Sequence, residues 1–456
     1  MSIPSRFRRA LALAVAAGLS LAAAACSDSG EEPTTAGGKV AITVNGQPPQ
    51  TQAFERKVFD EDVKEFEATH PTIDIQPKEG FMDPKTFSAK LAGGQLEDVF
   101  YVYFTDPAQL IARRQAADIT DYVGDLPNVD ELQPDLKKIF SDDSGRLYGL
   151  PTASYSMGLL YNRALFSEAG LDPSSPPRTW AEVRTAAQKI AALGNGTVGY
   201  ADFSKNNQGG WHLTAEIYST GGEVVSKDGD KYKAAFNNDG TRALLQTLKD
   251  MRWTDNSMGS RQLLEIPDVQ RMMGAGKLGM YVAAPDNVPT LVKQFEGRYA
   301  DYGLAPMPGG TATLIGGEGY MINPKASPEK IRAGLTWLQW KFLDPARYES
   351  VVKKFVAQKL PVGLDTPPTP NIWTGAGAAT VQGLKTKYAN IPVQNYAAFT
   401  EGSKTMQGRI EPVNAQQVYA VLDGVMQGVL TNRDADIGKL LDDAEKKVNS
   451  VLATVR

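Results

Sequence analysis

Few side chains in this sequence of 456 residues could carry thiol, imidazole or metal chemistry. The chain contains one cysteine, Cys26, and two histidines. A lone cysteine cannot close an intramolecular disulfide, and a structural zinc site needs four cysteine or histidine ligands. We therefore expect no metal site and no cofactor, and we exclude most thiol-dependent and metal-dependent hydrolases. The single thiol must have another role, which its surroundings indicate.

Cys26 ends an apolar run near the N-terminus. Three arginines stand among the first nine residues, and residues 10–25 are almost purely small and apolar. The run is too short to span a bilayer comfortably and has the pattern of a secretory signal. Its end, LAAAAC, resembles the lipobox of bacterial lipoproteins, in which the cysteine is acylated and becomes the mature N-terminus. We predict a signal peptide at residues 1–25, lipidation of Cys26 and a flexible linker at 26–38. A secretory signal with an unrelated cysteine is the alternative.

Charge and motif context exclude two further classes of function. Without the three arginines of the signal, the chain has an excess of acidic over basic side chains and a net charge of about −7. This balance gives no basic surface for nucleic acid. The segment GAGKLG at residues 274–279 spells a dinucleotide-binding pattern, but a helix-like run precedes it where that fold needs a strand. We therefore expect no nucleotide site.

The first part of the folded region alternates strands and helices. KVAITVNG, HPTIDIQP and DVFYVYF read as strands, and Phe54, Val58, Phe59, Val63 and Phe66 fall at helical spacing between the first two. This order indicates an α/β lobe with a largely parallel sheet. Ligands of such sheets bind at the carboxyl ends of strands, which are here the segments that start at Asn45, Phe81 and Tyr103.

Three later helices have clear boundaries in the sequence. Thr179 and Glu182 in TWAE match a capping box, and Pro328 in SPEK suits the first helical position. From Asp434 onward, apolar residues recur on one helical face. The last segment is therefore predicted to be an amphipathic helix packed on the core.

A stretch that starts at Arg146 carries the most specific motif. It reads RLYGLPTASYSMGLLYNRALFSEAGLDPSSPPRTWAEV, and shorter motifs such as HPTIDIQ, GLAPMPGG and KLPV are spread along the chain. With these motifs the chain resembles the carbohydrate-type extracellular solute-binding proteins, the maltose-binding-protein-like family of ABC importers. The matching positions are Tyr148, Leu150, Pro151, Tyr161, Asn162, Leu165, Phe166, Ala169, Gly170, Leu171, Pro177, Thr179, Trp180 and Glu182.

The resemblance implies an α/β fold of two lobes, joined by hinge strands, with a ligand cleft between the lobes. The expected boundaries are residues 39–151 and 319–366 for lobe I, and residues 152–318 and 367–456 for lobe II. The chain would cross between the lobes near Leu150 and again near Gly316 to Tyr320. The glycines of IGGEGY could absorb backbone rotation at the second crossing.

A sugar ring has apolar C–H faces and a fringe of hydroxyls, so its site needs an aromatic platform and polar side chains. By analogy with the family, we expect these groups at strand ends and near the crossings. The candidate ligand-binding residues are Tyr103, Asp106, Tyr155, Trp211, Asp286, Asn287, Glu318, Trp373 and Asn414. For each aromatic residue, packing in the core is the common alternative.

The resemblance also implies a role in capture and delivery, without catalysis. The partners would be a carbohydrate, the permease subunits of an ABC transporter and, through the lipid anchor, the outer face of the cell membrane; the protein would be a monomer. Two alternatives stay open. The same fold could bind a glycerophosphodiester or a polyol, and Arg409 in QGRIEPVN would supply the cation that a phosphate needs. A lipid-anchored glycoside hydrolase would need two opposed carboxylates.

Overall fold

The computed structural model describes residues 38–229, 231–366 and 368–453, with the side chains of all of these except Pro84 and Lys85. The predicted signal peptide and Cys26 lie outside the described residues. None of the described helices is both long and apolar enough to cross a membrane.

The strands are β1 Val40–Gln47, β2 Ile73–Glu79, β3 Val99–Tyr103, β4 Gly149–Ser156, β5 Gly158–Asn162, β6 Val198–Tyr200, β7 Val225–Asp228, β8 Lys231–Ala234, β9 Leu278–Ala283, β10 Tyr302–Pro306, β11 Ala312–Ile322 and β12 Gln407–Arg409.

The helices pack on the sheets, and the longer ones come from segments with an apolar face. They are α1 Ala53–Thr69, α2 Pro84–Ala92, α3 Pro107–Ala112, α4 Pro134–Ile139, α5 Arg163–Glu168, α6 Trp180–Ala191, α7 Gln208–Ser219, α8 Asp239–Trp253, α9 Ile266–Gly274, α10 Asn287–Gln294, α11 Pro328–Phe342, α12 Tyr348–Ala357, α13 Gly375–Tyr388, α14 Ala397–Ser403, α15 Ala415–Thr431 and α16 Ile437–Leu452.

Lobe I is built on one sheet. The strand order is β12-β11-β3-β1-β2, and β4 also pairs with β11. β12 pairs only with the first residues of β11, Ala312 to Leu314, which lie at the lobe II end of that strand. The pairs β1–β2 and β1–β3 are parallel, as the sequence predicts, while β11 runs antiparallel to both β3 and β4. The buried side chains of α1 recur at helical spacing and pack against α11, where Phe66 meets Trp337 edge to face. This face of α1 also buries a carboxylate, Asp62.

Lobe II is built on the four-stranded sheet β10-β5-β9-β6, with β7 and β8 as a separate hairpin. The helices α6, α7, α8, α15 and α16 enclose one apolar cluster, and α9, α10 and α14 enclose a second. The predicted C-terminal amphipathic helix is α16, which buries Leu441, Ala444, Val448 and Leu452. The predicted helix starts are also confirmed: Thr179 and Glu182 form the capping box of α6, and Pro328 opens α11 after Ser327.

Two strands pass from one lobe to the other. β4 leads from the lobe I core into β5 of lobe II, and β11 has its first residues in the lobe II core and its last in the lobe I core. These strands pair along their length, from Ile315 opposite Ser156 to Met321 opposite Gly149. A Cβ at Gly317 would lie less than 3.0 Å from the Phe104 ring, so this position needs glycine for close approach.

The chain between α12 and α14 departs from the expected lobe boundary at residue 366. Leu364 packs in the lobe II core, but Trp373 and Leu384 then pack in the lobe I core. Tyr396 and Phe399 return to lobe II. Helix α13 therefore belongs to lobe I, and the second part of lobe II starts near residue 390 instead of at residue 367. The apolar residues of this segment fit either core, so only the packed structure assigns them.

Candidate functional site

Two strands run toward each other along β11 where the lobes join. β12 is parallel to β11 and ends with Arg409 opposite Leu314, while β3 is antiparallel to β11 and ends with Tyr103 opposite Glu318. The carboxyl ends of the two strands are therefore directed at the segment 315–317, which lies between these pairs. Residues that follow β12 and β3 are brought close to each other at the junction of the lobes.

Asp106 and Glu411 are the carboxylates that follow these two strand ends. Asp106 lies at the start of α3, where its Oδ2 accepts a hydrogen bond from the backbone N–H of Tyr103 at 2.9 Å. Burial raises the pKa of Asp106, and this hydrogen bond opposes the effect. Burial, together with the negative charge of Asp106, raises the pKa of Glu411 to about 7, and the nearby Tyr419 hydroxyl opposes the rise. One acid from lobe I and one from lobe II thus interact across the junction.

Tyr155 of β4 joins this group. It is half-buried and pairs with Gly316 of β11, where a Cβ would collide with its ring. Burial raises the pKa of the Tyr155 hydroxyl, and the negative charges of Glu411 and Asp286 add to the effect. Tyr155 is therefore within electrostatic reach of two carboxylates, as a residue of a polar cleft would be.

An aromatic patch consisting of Phe81, Tyr101 and Tyr103 lies on the lobe I side. The ring of Tyr101 is 4.3 Å from that of Phe81 and 5.2 Å from that of Tyr103. Phe81 and Tyr103 are large aromatic residues that are 51% and 48% exposed. The Tyr101 hydroxyl donates a hydrogen bond to Glu318, while burial raises the pKa of the Glu318 carboxyl. The site therefore combines the exposed rings of Phe81 and Tyr103 with the Glu318 carboxylate, which the Tyr101 hydroxyl orients.

Asp286 and Asn287 follow β9 on the lobe II side, and the structure gives them different roles. The Asn287 Oδ1 accepts hydrogen bonds from Gln270 Nε2 at 2.9 Å and from the Tyr281 hydroxyl at 3.1 Å, and its Nδ2 lies 3.3 Å from Asp286 Oδ1. Asn287 is thus engaged within the protein and orients Asp286. Asp286 is exposed to solvent, yet desolvation by the surrounding protein raises its pKa, which is typical of a carboxylate on a cleft wall. A ligand contact from Asp286 stays a prediction.

Trp373 lies elsewhere. It is 3% exposed, packs in the lobe I core and lines a cavity of about 590 Å³ between α13, α14 and the crossing strands. Ser154 and Ser156 of β4 line the same cavity, and Ile315 lines it from β11. Ser156 pairs with Ile315 and Tyr155 with Gly316, and side chains alternate between the two faces of a strand. The cavity therefore lies mainly on the face of the crossing strands opposite Glu318.

Asn414 starts α15, three residues after Glu411. Its φ of 51° is in the left-handed region, which asparagine tolerates better than most residues, and its carbonyl accepts the N–H groups of Gln417 and Val418. Asn414 therefore fixes how the chain enters α15, and a contact from its side chain to a ligand stays a prediction.

Trp211 packs against both apolar clusters of lobe II from α7. It is half-buried, its ring lies 5.1 Å from that of His212, and its indole N–H is buried without a hydrogen-bond partner among the described residues. The predicted role of Trp211 as a ligand platform stays a prediction, because none of these contacts involves the carboxylates Asp106 and Glu411.

Replacing Trp211 with alanine separates the two roles. Because the ring fills space between two clusters, we expect Trp211→Ala to lower the melting temperature without ligand by a few degrees, through the cavity left behind. Thermal melts with and without ligand measure this. An unchanged melt without ligand, combined with loss of the ligand-induced shift, would show that the ring serves the ligand and not the core.

The sequence alone did not identify Phe81, Tyr101, Glu411 or Tyr419 as site residues. Phe81 lies two residues after β2 and starts one of the segments that the sequence analysis assigns to ligand-binding strand ends, but its side chain is not among the candidates chosen there. Glu411 is placed by β12, a strand of three residues that has no recognisable pattern of its own.

Arg409, the cation expected to serve a phosphate ligand, is already engaged. Its Nη1 lies 2.6 Å from the Gly222 carbonyl oxygen and 2.8 Å from Glu223 Oε1. The guanidinium also lies over the Tyr218 ring, 5.5 Å from its centre. Among the described residues, no group of three or more histidine, cysteine, aspartate or glutamate side chains is placed to hold a metal ion.

Comparison with known proteins gives three kinds of match. A family model described as bacterial extracellular solute-binding protein matches residues 47–344. A putative binding protein of Brucella abortus (strain 2308) is 27% identical over 336 residues, which is 72% of this chain and 75% of that protein. The sn-glycerol-3-phosphate-binding periplasmic protein UgpB of Agrobacterium fabrum is 29% identical over 151 residues, 32% of this chain and 35% of that protein.

A solved structure shares the whole fold. The cyclic alpha-maltosyl-1,6-maltose binding protein from Arthrobacter globiformis matches with a TM-score of 0.71 and 22% identity, over 92% of this chain and all of that one. At this identity the match concerns the fold, and it agrees with the expected two-lobed α/β architecture.

Proposed function

Since the chain belongs to the family of bacterial extracellular solute-binding proteins, we propose that it captures a carbohydrate between its lobes and delivers it to the permease of an ABC transporter. The observation that carries this proposal is the aromatic patch, with Phe81 and Tyr103 half-exposed, beside carboxylates that come from both lobes. Membership of this family also assigns the folded part to the outside of the cytoplasm.

The chemistry of the cleft suits a sugar. Aromatic rings pack against the C–H faces of a pyranose, and ionised carboxylates accept hydrogen bonds from neighbouring hydroxyls. A ligand that contacts Glu318 on one side and Glu411 on the other would favour the closed arrangement of the lobes. The name of the structurally similar Arthrobacter protein, a binder of a cyclic maltosyl-maltose, supports a carbohydrate as the ligand class.

The alternatives are less well supported by the site. A glycerophosphodiester or sn-glycerol 3-phosphate is the ligand class that the similarity to UgpB suggests. Its phosphate would need a cation, and Arg409 is paired with Glu223. A polyol has hydroxyls that can bond the carboxylates, but it has no sugar ring to stack on Phe81 and Tyr103. We do not favour a glycoside hydrolase, since the family consists of solute-binding proteins.

A thermal-shift screen tests the ligand class. The purified protein is melted with maltose, longer and cyclic maltosaccharides, other disaccharides, polyols, sn-glycerol 3-phosphate and glycerophosphocholine. A ligand at 100 times its Kd stabilises a protein by about 2.7 kcal/mol, so the true class should raise the melting temperature by several degrees. We expect a carbohydrate to do so. Stabilisation by phosphate compounds alone would contradict the proposal.

We further propose that the protein is a monomer held at the outer face of the membrane by acyl chains on Cys26. Each buried CH₂ contributes about 0.8 kcal/mol, so two chains give a stable anchor where one is marginal. We expect Cys26→Ala to abolish metabolic labelling with radioactive palmitate and to leave the protein unprocessed or released. The adjacent Ser27→Ala is the matched control and should keep the label. Native protein that is unlipidated and free in the medium would contradict the anchor.

A further inference from the structure

The cleft contains negative charge that the described residues do not balance. Its four carboxylates are those of Asp106, Asp286, Glu318 and Glu411. Besides burial, the pKa values of these four carboxyl groups are shifted by another carboxylate, by tyrosines, by an asparagine and by backbone amides. No lysine or arginine among the described residues contributes to these shifts. Arg409, two residues before Glu411, is turned to the Gly222 carbonyl and to Glu223. A ligand that closes the lobes would bring these charges closer together.

We propose that the carbohydrate is an amino sugar whose protonated amine binds between Asp106 and Glu411. This inference rests on the proposed function, carbohydrate capture, and adds the charge of the ligand. The two carboxylates follow strand ends that converge on segment 315–317 of β11, one from each lobe. An ammonium group has three N–H donors, so it can contact both carboxylates at once, whereas a hydroxyl has one donor.

The Tyr419 hydroxyl points to a missing partner at the same place. Tyr419 is 2% exposed, and its hydroxyl makes no hydrogen bond of normal geometry among the described residues, although it lies beside Glu411. A buried hydroxyl without a partner is costly, and a ligand N–H or O–H could supply one. Because the described carboxylates include no cluster suited to a metal ion, an organic cation fits better than a divalent one.

A charged ligand and a neutral ligand have different electrostatic energies between Asp106 and Glu411. Burial is the main cause of the raised pKa of Glu411, and the negative charge of Asp106 raises it further, because two carboxylates in a partly desolvated site repel each other. A neutral sugar between Asp106 and Glu411 would leave the repulsion in place or require a proton on one of them. An ammonium group replaces that proton and forms two charge-assisted hydrogen bonds.

Paired titrations test the inference. Calorimetry at a pH of about 6.5, where amines of this kind are mostly protonated, compares glucosamine with glucose, galactosamine with galactose, and chitosan oligosaccharides with their N-acetylated forms. We expect at least one amine to bind about 10-fold or more tightly than its neutral counterpart.

Variants of the two carboxylates test the same site. Glu411→Gln and Asp106→Asn should each weaken binding of the amine by about 30-fold or more, since one partner of a charge pair is lost. Asp239→Asn, on an exposed turn of α8, is the matched control and should change neither ligand.

Three outcomes would overturn the inference. If the neutral sugars bind as tightly as the amines or more tightly, or if Glu411→Gln weakens both members of a pair equally, the amine has no special site. In both cases carbohydrate capture still holds. If no sugar of either kind binds, both this inference and the proposed function fail.

Discussion

Replacing Phe81 and Tyr103 together with alanine is expected to weaken carbohydrate binding about 100-fold to 1000-fold. Each ring that stacks on a sugar acts as an aromatic anchor, and truncation of such anchors costs about 2 kcal/mol or more each, where 1.4 kcal/mol is a factor of ten. Both rings are about half exposed. Their loss should therefore change the melting temperature without ligand by only a few degrees.

The measurement is titration calorimetry on the double variant, with melts of both proteins as the check on folding. Val356→Ala, which removes a partly exposed apolar side chain from α12 of lobe I, is the matched control and should bind as the wild type does. Affinity that stays within threefold of the wild type in the double variant would show that the aromatic patch is not the sugar platform.

Asp62→Asn is expected to lower the free energy of unfolding by about 3 kcal/mol, because it removes one partner of a buried charge group. Asp62 is 2% exposed and lies on the core face of α1, where it contacts Lys341 at 2.6 Å and Arg347. The substitution leaves two cations facing each other in a site with little water. Urea unfolding measures the change. Asp143→Asn, a fully exposed acid 3.6 Å from Lys227, is the control and should cost less than about 1 kcal/mol.

The same group predicts how stability depends on pH. Burial raises the pKa of Asp62, but Lys341 and Arg347 outweigh burial and hold this pKa below its ordinary value. The ionised carboxylate therefore stabilises the fold fully above the ordinary aspartate pKa, about 4, and this contribution is lost as the pH falls further. The stability difference between the wild type and Asp62→Asn should shrink below a pH of about 4. A constant difference down to a pH of about 2 would contradict the assignment.

The sequence was informative where local patterns fix the structure. Short segments rich in β-forming residues identified β1 to β3, a capping box identified α6, and a proline at the first helical position identified α11. The motif around Tyr161 and Asn162 identified the family, and with it the two-lobed α/β fold. Asp106, Tyr155 and Glu318 were predicted from their places at strand ends and crossings, and the structure brings them to the junction of the lobes.

The sequence was less informative about side chains whose position depends on contacts with distant parts of the chain. Trp373 fits a ligand platform by type, but it packs in the lobe I core because α13 returns to that lobe. Asn287 fits a sugar contact by type, but its side chain bonds Gln270 and Tyr281 from other parts of the chain. Glu411 reaches the cleft only because β12 pairs with β11, a strand about a hundred residues earlier. Such pairings cannot be derived from local patterns.

Solution X-ray scattering tests the central claim, that a carbohydrate binds between the two lobes, most directly. The protein is measured alone and with a saturating concentration of the carbohydrate that gives the largest thermal shift. Because contacts from both lobes favour the closed arrangement, the ligand should shift the population toward it and lower the radius of gyration. A radius of gyration and a scattering profile that do not change at saturation would contradict binding between the lobes.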